Sequence, residues 1–245
     1  MTGEYDASGT RPARPSAWRT DDGRPWREVL TYSRRGSRFT PSQQAAWDAH
    51  HESWVIPDHA LDEPDVELAD WFGRSASLVV EIGSGVGEAT AALAAARPEH
   101  DVLALEVWRP GVAASLARVA ELGARNVRFC SVDAVWAMDH LVAPAGLGEL
   151  WTFFPDPWPK TRHHKRRLVT PGFAALAASR LAPGAWWRLA TDWADYAEQM
   201  VAVLDAEQSL VGGVVARWAE RPVTKFERKG LEAGRPITDL AYRRG

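Results

Sequence analysis

The segment Leu78-Val79-Val80-Glu81-Ile82-Gly83-Ser84-Gly85-Val86-Gly87-Glu88, running into the alanine-rich stretch Ala89 to Ala96, leaves the chain few ways to fold. Its short apolar run reads as a buried strand, its glycines as a tight turn and the alanines as a helix. A helix that leaves a strand so abruptly crosses back to a parallel neighbour, which requires a sheet with helices on its faces. The alternation continues downstream. Further strands are predicted over Val102–Glu106, Asn126–Ser131, Leu150–Phe154 and Ala185–Thr191. Helices are predicted over Pro110–Leu122, ended by Gly123, over Pro171–Leu181, ended by Pro183-Gly184, and over Trp193–Leu204. Candidate strands at Leu210–Trp218 and Asp239–Arg243 complete the order. Upstream, Thr40 caps a predicted helix over Pro41–Val55, with Ala46, Trp47, Trp54 and Val55 on its buried side. The expected fold class is α/β: a doubly wound, mostly parallel seven-stranded sheet with a final β addition.

Acids punctuate the carboxyl ends of three successive strands. A dinucleotide fingerprint wants Gly or Ala where Glu88 stands, and a pyrophosphate would be repelled there. Glu81, before the first glycine, adds negative charge suited to a cation-bearing ligand such as S-adenosylmethionine. Glu106 ends the next strand about twenty residues after the glycine turn, the offset at which a carboxylate meets both ribose hydroxyls. Asp133 follows the third strand, within reach of an adenine amino group. Singly, such acids are often helix caps and such glycines plain turns. Three acids in register on successive strands argue for a cofactor site.

Residues 153–167 read Phe-Phe-Pro-Asp-Pro-Trp-Pro-Lys-Thr-Arg-His-His-Lys-Arg-Arg. Pro155 and Pro157 end the strand, because neither donates to a ladder and each restricts the residue before it. Asp156 is thereby held at a strand's carboxyl edge, where open α/β sheets bind ligands. Beyond it, Lys160, Arg162, Lys165, Arg166 and Arg167 put five positive charges into eight residues, the footprint of a phosphate-backbone contact. A solvated helix face is the commoner meaning of a charge run. The proline-locked acid beside this one turns the reading toward chemistry on a nucleic-acid base. Trp158, between two prolines, can stack on a base or simply pack.

Together these residues resemble the bacterial tRNA (guanine-N7-)-methyltransferase family, from about Arg34 to Arg244. The resemblance is carried by Pro155-Asp156-Pro157-Trp158-Pro159-Lys160 with Arg162-His163-His164-Lys165-Arg166-Arg167-Leu168, by Thr191-Asp192-Trp193 with Tyr196, and by Thr224-Lys225-Phe226-Glu227-Arg228. It implies the Rossmann-like fold of S-adenosylmethionine-dependent methyltransferases, with S-adenosylmethionine as cofactor and tRNA as partner. The implied reaction makes 7-methylguanine in the tRNA variable loop, at position 46. By position, it assigns Glu81, Glu106, Asp133 and Asp156 to the cofactor side, with Asp156 also catalytic. It assigns Lys160, Asp192, Thr224, Lys225, Phe226 and Glu227 to the substrate guanine or tRNA. The glycine turn adds Gly83 and Gly85 to the cofactor side, and the basic run offers Arg162, Lys165, Arg166 and Arg167 to the tRNA backbone. Without the resemblance, Asp192 reads as a helix cap and Glu227 as a surface partner of Arg228. Two other readings use the same residues. A methyltransferase of an exocyclic base amine has adjacent prolines after its acid, whereas here Trp158 separates Pro157 from Pro159. A non-catalytic RNA-binding module on the same fold has no need of the intact Glu81, Gly83, Gly85, Glu106 and Asp133.

At 245 residues and 46% apolar composition, the chain has enough for one large core. Residues 34–245 are expected to form a single methyltransferase domain. Residues 1–33, rich in Arg, Pro, Gly, Ser and Asp, are expected to be a disordered basic arm. No stretch approaches the length of a membrane span and the start has no apolar signal core, so a cytoplasmic protein is expected. Cys130 is the one cysteine, placed in an apolar strand as a small core residue, and no metal site is expected. The net charge of -3 conceals segregation. Residues 1–40 carry eight Arg against five acids, residues 160–167 five basic residues and no acid, and residues 221–245 seven basic against three acidic. If these segments converge on one face, their local field attracts RNA despite the acidic total. Monomer and homodimer are both compatible with the sequence.

Overall fold

The computed structural model describes residues 30–32, 36–61 and 67–245; the expected basic arm lies outside the described residues apart from 30–32. Helices α1 (Pro41–Trp54), α2 (Asp58–Leu61) and α3 (Leu68–Phe72) precede the first strand, β1 (Ser77–Ile82). There follow α4 (Glu88–Ala96), β2 (His100–Leu105), α5 (Arg109–Leu122), β3 (Val127–Cys130), α6 (Ala134–His140) and β4 (Leu147–Phe153). A 3₁₀ turn (Thr161–Arg166) leads to α7 (Pro171–Arg180), β5 (Leu181–Thr191), α8 (Ala194–Asp205), β6 (Leu210–Val215), α9 (Lys225–Glu232) and β7 (Thr238–Arg244). The strands make one sheet in the order β3-β2-β1-β4-β5-β7-β6. Strands β1 to β5 pair in parallel, and β7 enters antiparallel to both β5 and β6. The chain winds outward from β1 to β3 and then returns to β4 on the other side of β1. That reversal opens a crevice at the carboxyl ends of β1 and β4.

Alternation along each strand supplies both faces of the sheet. Val80, Ile82, Leu103 and Leu105 face one core with Trp136, Phe173 and Trp187, while Val79, Val102 and Ala104 face the other with Leu93, Val112 and Leu116. Because both faces are covered, the parallel strands read as unbroken apolar runs. The small Ala89, Ala91 and Ala94 let α4 pack closely on the second face.

Several boundaries differ from the sequence expectation. Strand β4 stops at Phe153, because Phe154 takes a left-handed conformation with φ 52°. Helix α7 stops at Arg180, and β5 runs through Pro183-Gly184 instead of starting after it. Leu181 pairs with Leu147 and Trp186 with Glu149, so the proline falls in the bulge between them, where no ladder donor is needed. Strand β6 ends at Val215 rather than at Trp218. Helix α1 has the predicted Thr40 cap, completed by the Gln43 side chain. It packs on the outside of α5, with Gln43 bonded to the Pro110 carbonyl, so Trp47, Trp54 and Val55 are half-buried rather than core.

Candidate active site

At the end of β1 the chain turns under the carboxyl end of β2, with the Gly83 N–H donating to the Leu105 carbonyl at 2.8 Å. Gly83 and Gly85 have φ of 76° and 61°, a backbone that side-chain-bearing residues adopt at a cost. A Cβ on Gly83 would meet no atom within 4 Å, so the missing side chain leaves open space over the turn. Glu106 reaches across it. Its carboxylate accepts the N–H of Gly85 and of Trp108, both at 2.8 Å, which pins the acid by two backbone donors. Glu81 lies beneath, 3% exposed, accepting a short hydrogen bond from the Thr90 hydroxyl. Burial pushes its carboxyl up to about 7, against the pull of the Thr90 bond and with a smaller push from the Glu106 charge. Asp133 caps α6 by accepting the N–H groups of Val135 (2.9 Å) and Trp136 (3.3 Å), and its neighbours Val132 and Ala134 form a wall of the cleft.

The opposite wall is the loop after β4. Phe154 and Trp158, with φ of 52° and 46°, bracket Pro155-Asp156-Pro157. A left-handed non-glycine residue costs on the order of 1–3 kcal/mol, so the surrounding packing must impose this turn. The Phe154 N–H donates to the Ala190 carbonyl at 2.7 Å, and Phe153, Phe154, Pro155 and Asp156 line the cleft. Trp158 packs rather than projecting: its indole N–H meets the Thr31 carbonyl at 3.2 Å and the Arg166 guanidinium lies 3.8 Å from its ring centroid. Residues Thr31 and Tyr32, which no sequence signal marked, also line the cleft.

The basic run divides. Lys160, Arg162 and Lys165 are exposed, while Arg166 is half-buried and bonds the Leu30 carbonyl at 3.0 Å. Arg167, expected to face the tRNA backbone, instead turns inward. Only 2% exposed, it donates to the Pro157 carbonyl (2.8 Å), Gln199 (2.8 Å) and Asp195 (2.8 and 3.0 Å), and stacks on Tyr196. Arg167 follows the 3₁₀ turn, where the chain heads back into the core.

The Thr224 to Glu227 segment opens α9, which lies over the glycine turn. Thr224 caps the helix and lines the cleft together with Phe226. Glu88, the residue out of place in a dinucleotide fingerprint, accepts the Lys225 N–H and the Arg228 side chain (3.1 Å) and so holds α9 down. That departure was the available signal for Glu88. Lys225 itself is exposed. Glu227 points away from the cleft, 2% exposed, paired with Arg217 (2.8 Å) and Arg221 (2.6 Å) rather than with Arg228. Burial alone would raise its carboxyl; the bonds and charges of Arg217 and Arg221 overcome that and hold it below the usual range. Asp192 is not a helix cap, since it accepts from Arg235 at 2.8 Å, and it does not line the cleft. Much of the positive charge counted over 221–245 is thus neutralised internally. Arg221, Arg228 and Arg235 all pair with acids, which leaves Lys225, Lys229 and Arg243 on the exposed surface and Arg244 half-buried.

The cleft therefore gathers Glu81, Gly83, Gly85, Glu106, Asp156, Thr224 and Phe226. Lys160, Arg162 and Lys165 lie outside it on the surface, beyond the acid-bearing loop. A family model described as "Putative methyltransferase" matches residues 75–240. The chain is 69% identical over 241 residues to a tRNA (guanine-N(7)-)-methyltransferase of Nocardioides sp., covering 98% of this chain and 97% of that protein. It is 48% identical over 236 residues to the protein of the same name from Cutibacterium acnes, covering 89% and 84%. Among solved structures, the 16S rRNA methyltransferase KamB superposes with a TM-score of 0.51 at 17% identity, covering 89% of this chain and 98% of that one. This last likeness concerns the fold alone.

Proposed function

We propose, because this chain belongs to the bacterial tRNA (guanine-N(7)-)-methyltransferase family, that the cleft holds S-adenosylmethionine and methylates N7 of a guanine in tRNA. The observation that carries the site assignment is the meeting of two strand-end acids, a side-chain-free glycine turn and the Asp156 loop in one crevice. The residues fit such a cofactor. Gly83 leaves room at the turn, Glu106 presents a carboxylate pinned for hydroxyl donors, and Glu81 supplies negative charge for a cationic group. Val132, Ala134 and Phe153 offer apolar walls to a base, and Asp133 fixes the first two by capping α6.

When bound, the cofactor supplies a sulfonium methyl. Guanine N7 carries a lone pair and no proton, so the protein has to position the base rather than deprotonate it. Asp156 orients the reactants and adds negative charge, which becomes more favourable as the methylated base turns cationic. A charge-assisted bond of this type contributes about 1.5–3 kcal/mol. Thr224 and Phe226 form the wall against which the guanine is held, with Lys225 above it. Glu227 and Asp192 act behind that wall, through Arg221 and Arg235. Lys160, Arg162, Lys165 and Arg166 meet the tRNA backbone, with the target at position 46 of the variable loop. Residues 34–245 act as one methyltransferase domain. Among the described residues no helix is long and apolar enough to cross a membrane, in keeping with work on tRNA in the cytoplasm. Incubating the protein with unmodified tRNA and methyl-labelled S-adenosylmethionine, then digesting to nucleosides for mass spectrometry, should give labelled 7-methylguanosine. Label on an exocyclic amine, or none at all, would overturn the assignment.

A further inference from the structure

Arg221 does not itself line the cleft and is 1% exposed, behind the wall that Phe153 and Phe154 form. Its guanidinium donates to Glu227 of α9 at 2.6 Å and to Asp239 of β7 at 3.0 Å, while Arg217 holds the other side of Glu227 at 2.8 Å. Its central carbon lies 5.3 Å from the ring centroid of Phe154 and 5.6 Å from that of Phe153. Buried ion clusters stabilise a fold little better than apolar packing of the same volume, so this one calls for another reason. What it joins is informative. Glu227 sits one residue after Phe226, and Phe154 is the left-handed residue two before Asp156.

The geometry points to Arg221 as a positioning residue for methyl transfer: it clamps the Phe154 turn against α9, fixing Asp156 relative to the wall made by Thr224 and Phe226. Only a planar guanidinium does both jobs, laying a face on the ring while its edges donate to two carboxylates. A lysine keeps the charge and loses the face. The inference rests on the placing of Asp156 at the reaction.

Arg221→Lys should remain folded by circular dichroism and bind S-adenosylmethionine and tRNA within about threefold of wild type, yet lose about tenfold or more in single-turnover methylation at saturation. In a Phe154→Leu background, where the ring is gone, the same substitution should cost little further, because the two act through one contact. A folded Arg221→Lys with wild-type single-turnover rate overturns the inference, as does a rate loss repeated in full in the Phe154→Leu background. Should Arg221→Lys fail to fold, Phe154→Leu alone decides. It should show the same rate loss in single turnover with cofactor and tRNA both saturating, so that any loss of affinity at this cleft-lining ring does not enter, and a wild-type rate overturns the clamp. A wild-type protein that makes no 7-methylguanosine refutes the functional reading instead, so the two failures are separable.

Discussion

Raising the pH through neutrality charges Glu81, and its burial sets the cost. Its carboxyl is pushed from 4.5 to about 7, chiefly by loss of water, with the Thr90 bond opposing and Glu106 adding. The folded pKa lies above the unfolded one, so between these values the folded chain holds a proton that the unfolded chain has lost. Stability therefore falls as pH rises through that window. At 1.36 kcal/mol per unit the full penalty is about 3 kcal/mol, felt above pH 7. Glu81→Gln keeps an acceptor for Thr90 and removes the charge. It should stabilise the cofactor-free protein by up to that amount at pH 8 and change it little at pH 4.5, as read by denaturant unfolding. A cationic ligand reverses the effect by favouring the carboxylate. Binding of S-adenosylmethionine should then release close to one proton at pH 6 and tighten about tenfold between pH 6 and pH 8. Calorimetry in two buffers of different ionisation heat measures both. An affinity flat across that range with no proton released, or a slope that survives in Glu81→Gln, would refute the reasoning.

Asp156→Asn keeps shape and loses charge, and should lower single-turnover methylation about tenfold or more while tRNA affinity changes by less than about 1 kcal/mol; normal turnover would make Asp156 a turn residue only. Neutralising Arg162 and Lys165 should reduce the slope of log tRNA affinity against log salt by roughly 0.7–0.9 per charge. Arg167→Met, by contrast, should lower the thermal midpoint and leave that slope alone, because its guanidinium is spent on Asp195, Gln199 and Pro157. Gly111→Ala puts a Cβ 2.3 Å from the Gly85 carbonyl oxygen and 2.7 Å from Trp108, so the cofactor turn must shift. Calorimetry on a folded variant should show at least about tenfold weaker cofactor binding, and an unchanged affinity would mean that α5 can slide.

The parallel half of the fold is legible because strands buried on both faces cannot hide polar residues. Asp156 could be picked out because flanking prolines leave a mark in the sequence, and Glu106 because its offset from the glycine turn is fixed by one crossover. Arg167 could not. Its charge matches that of Lys165 and Arg162, and what separates it is the direction in which the chain leaves a 3₁₀ turn. Glu227 was misplaced for a related reason: its partners Arg217 and Arg221 precede it in an irregular segment, and Asp239 lies on another strand. Pro183-Gly184 reads as a helix stop, but only the pairing of β5 with β4 shows that the two residues sit in a bulge.

Strand β7 is synthesised after both of the strands it separates, which orders the birth of the enzyme. While residues 238–244 are still inside the ribosome, β5 presents an open edge, and β6, with Val211 and Val214 exposed, has no partner in this sheet. Arg221 then lacks Asp239, one of its two counter-ions. A nascent chain that has completed its cofactor half should therefore bind S-adenosylmethionine before it can act on tRNA, and in that interval it carries an unpaired edge on which neighbouring chains can add.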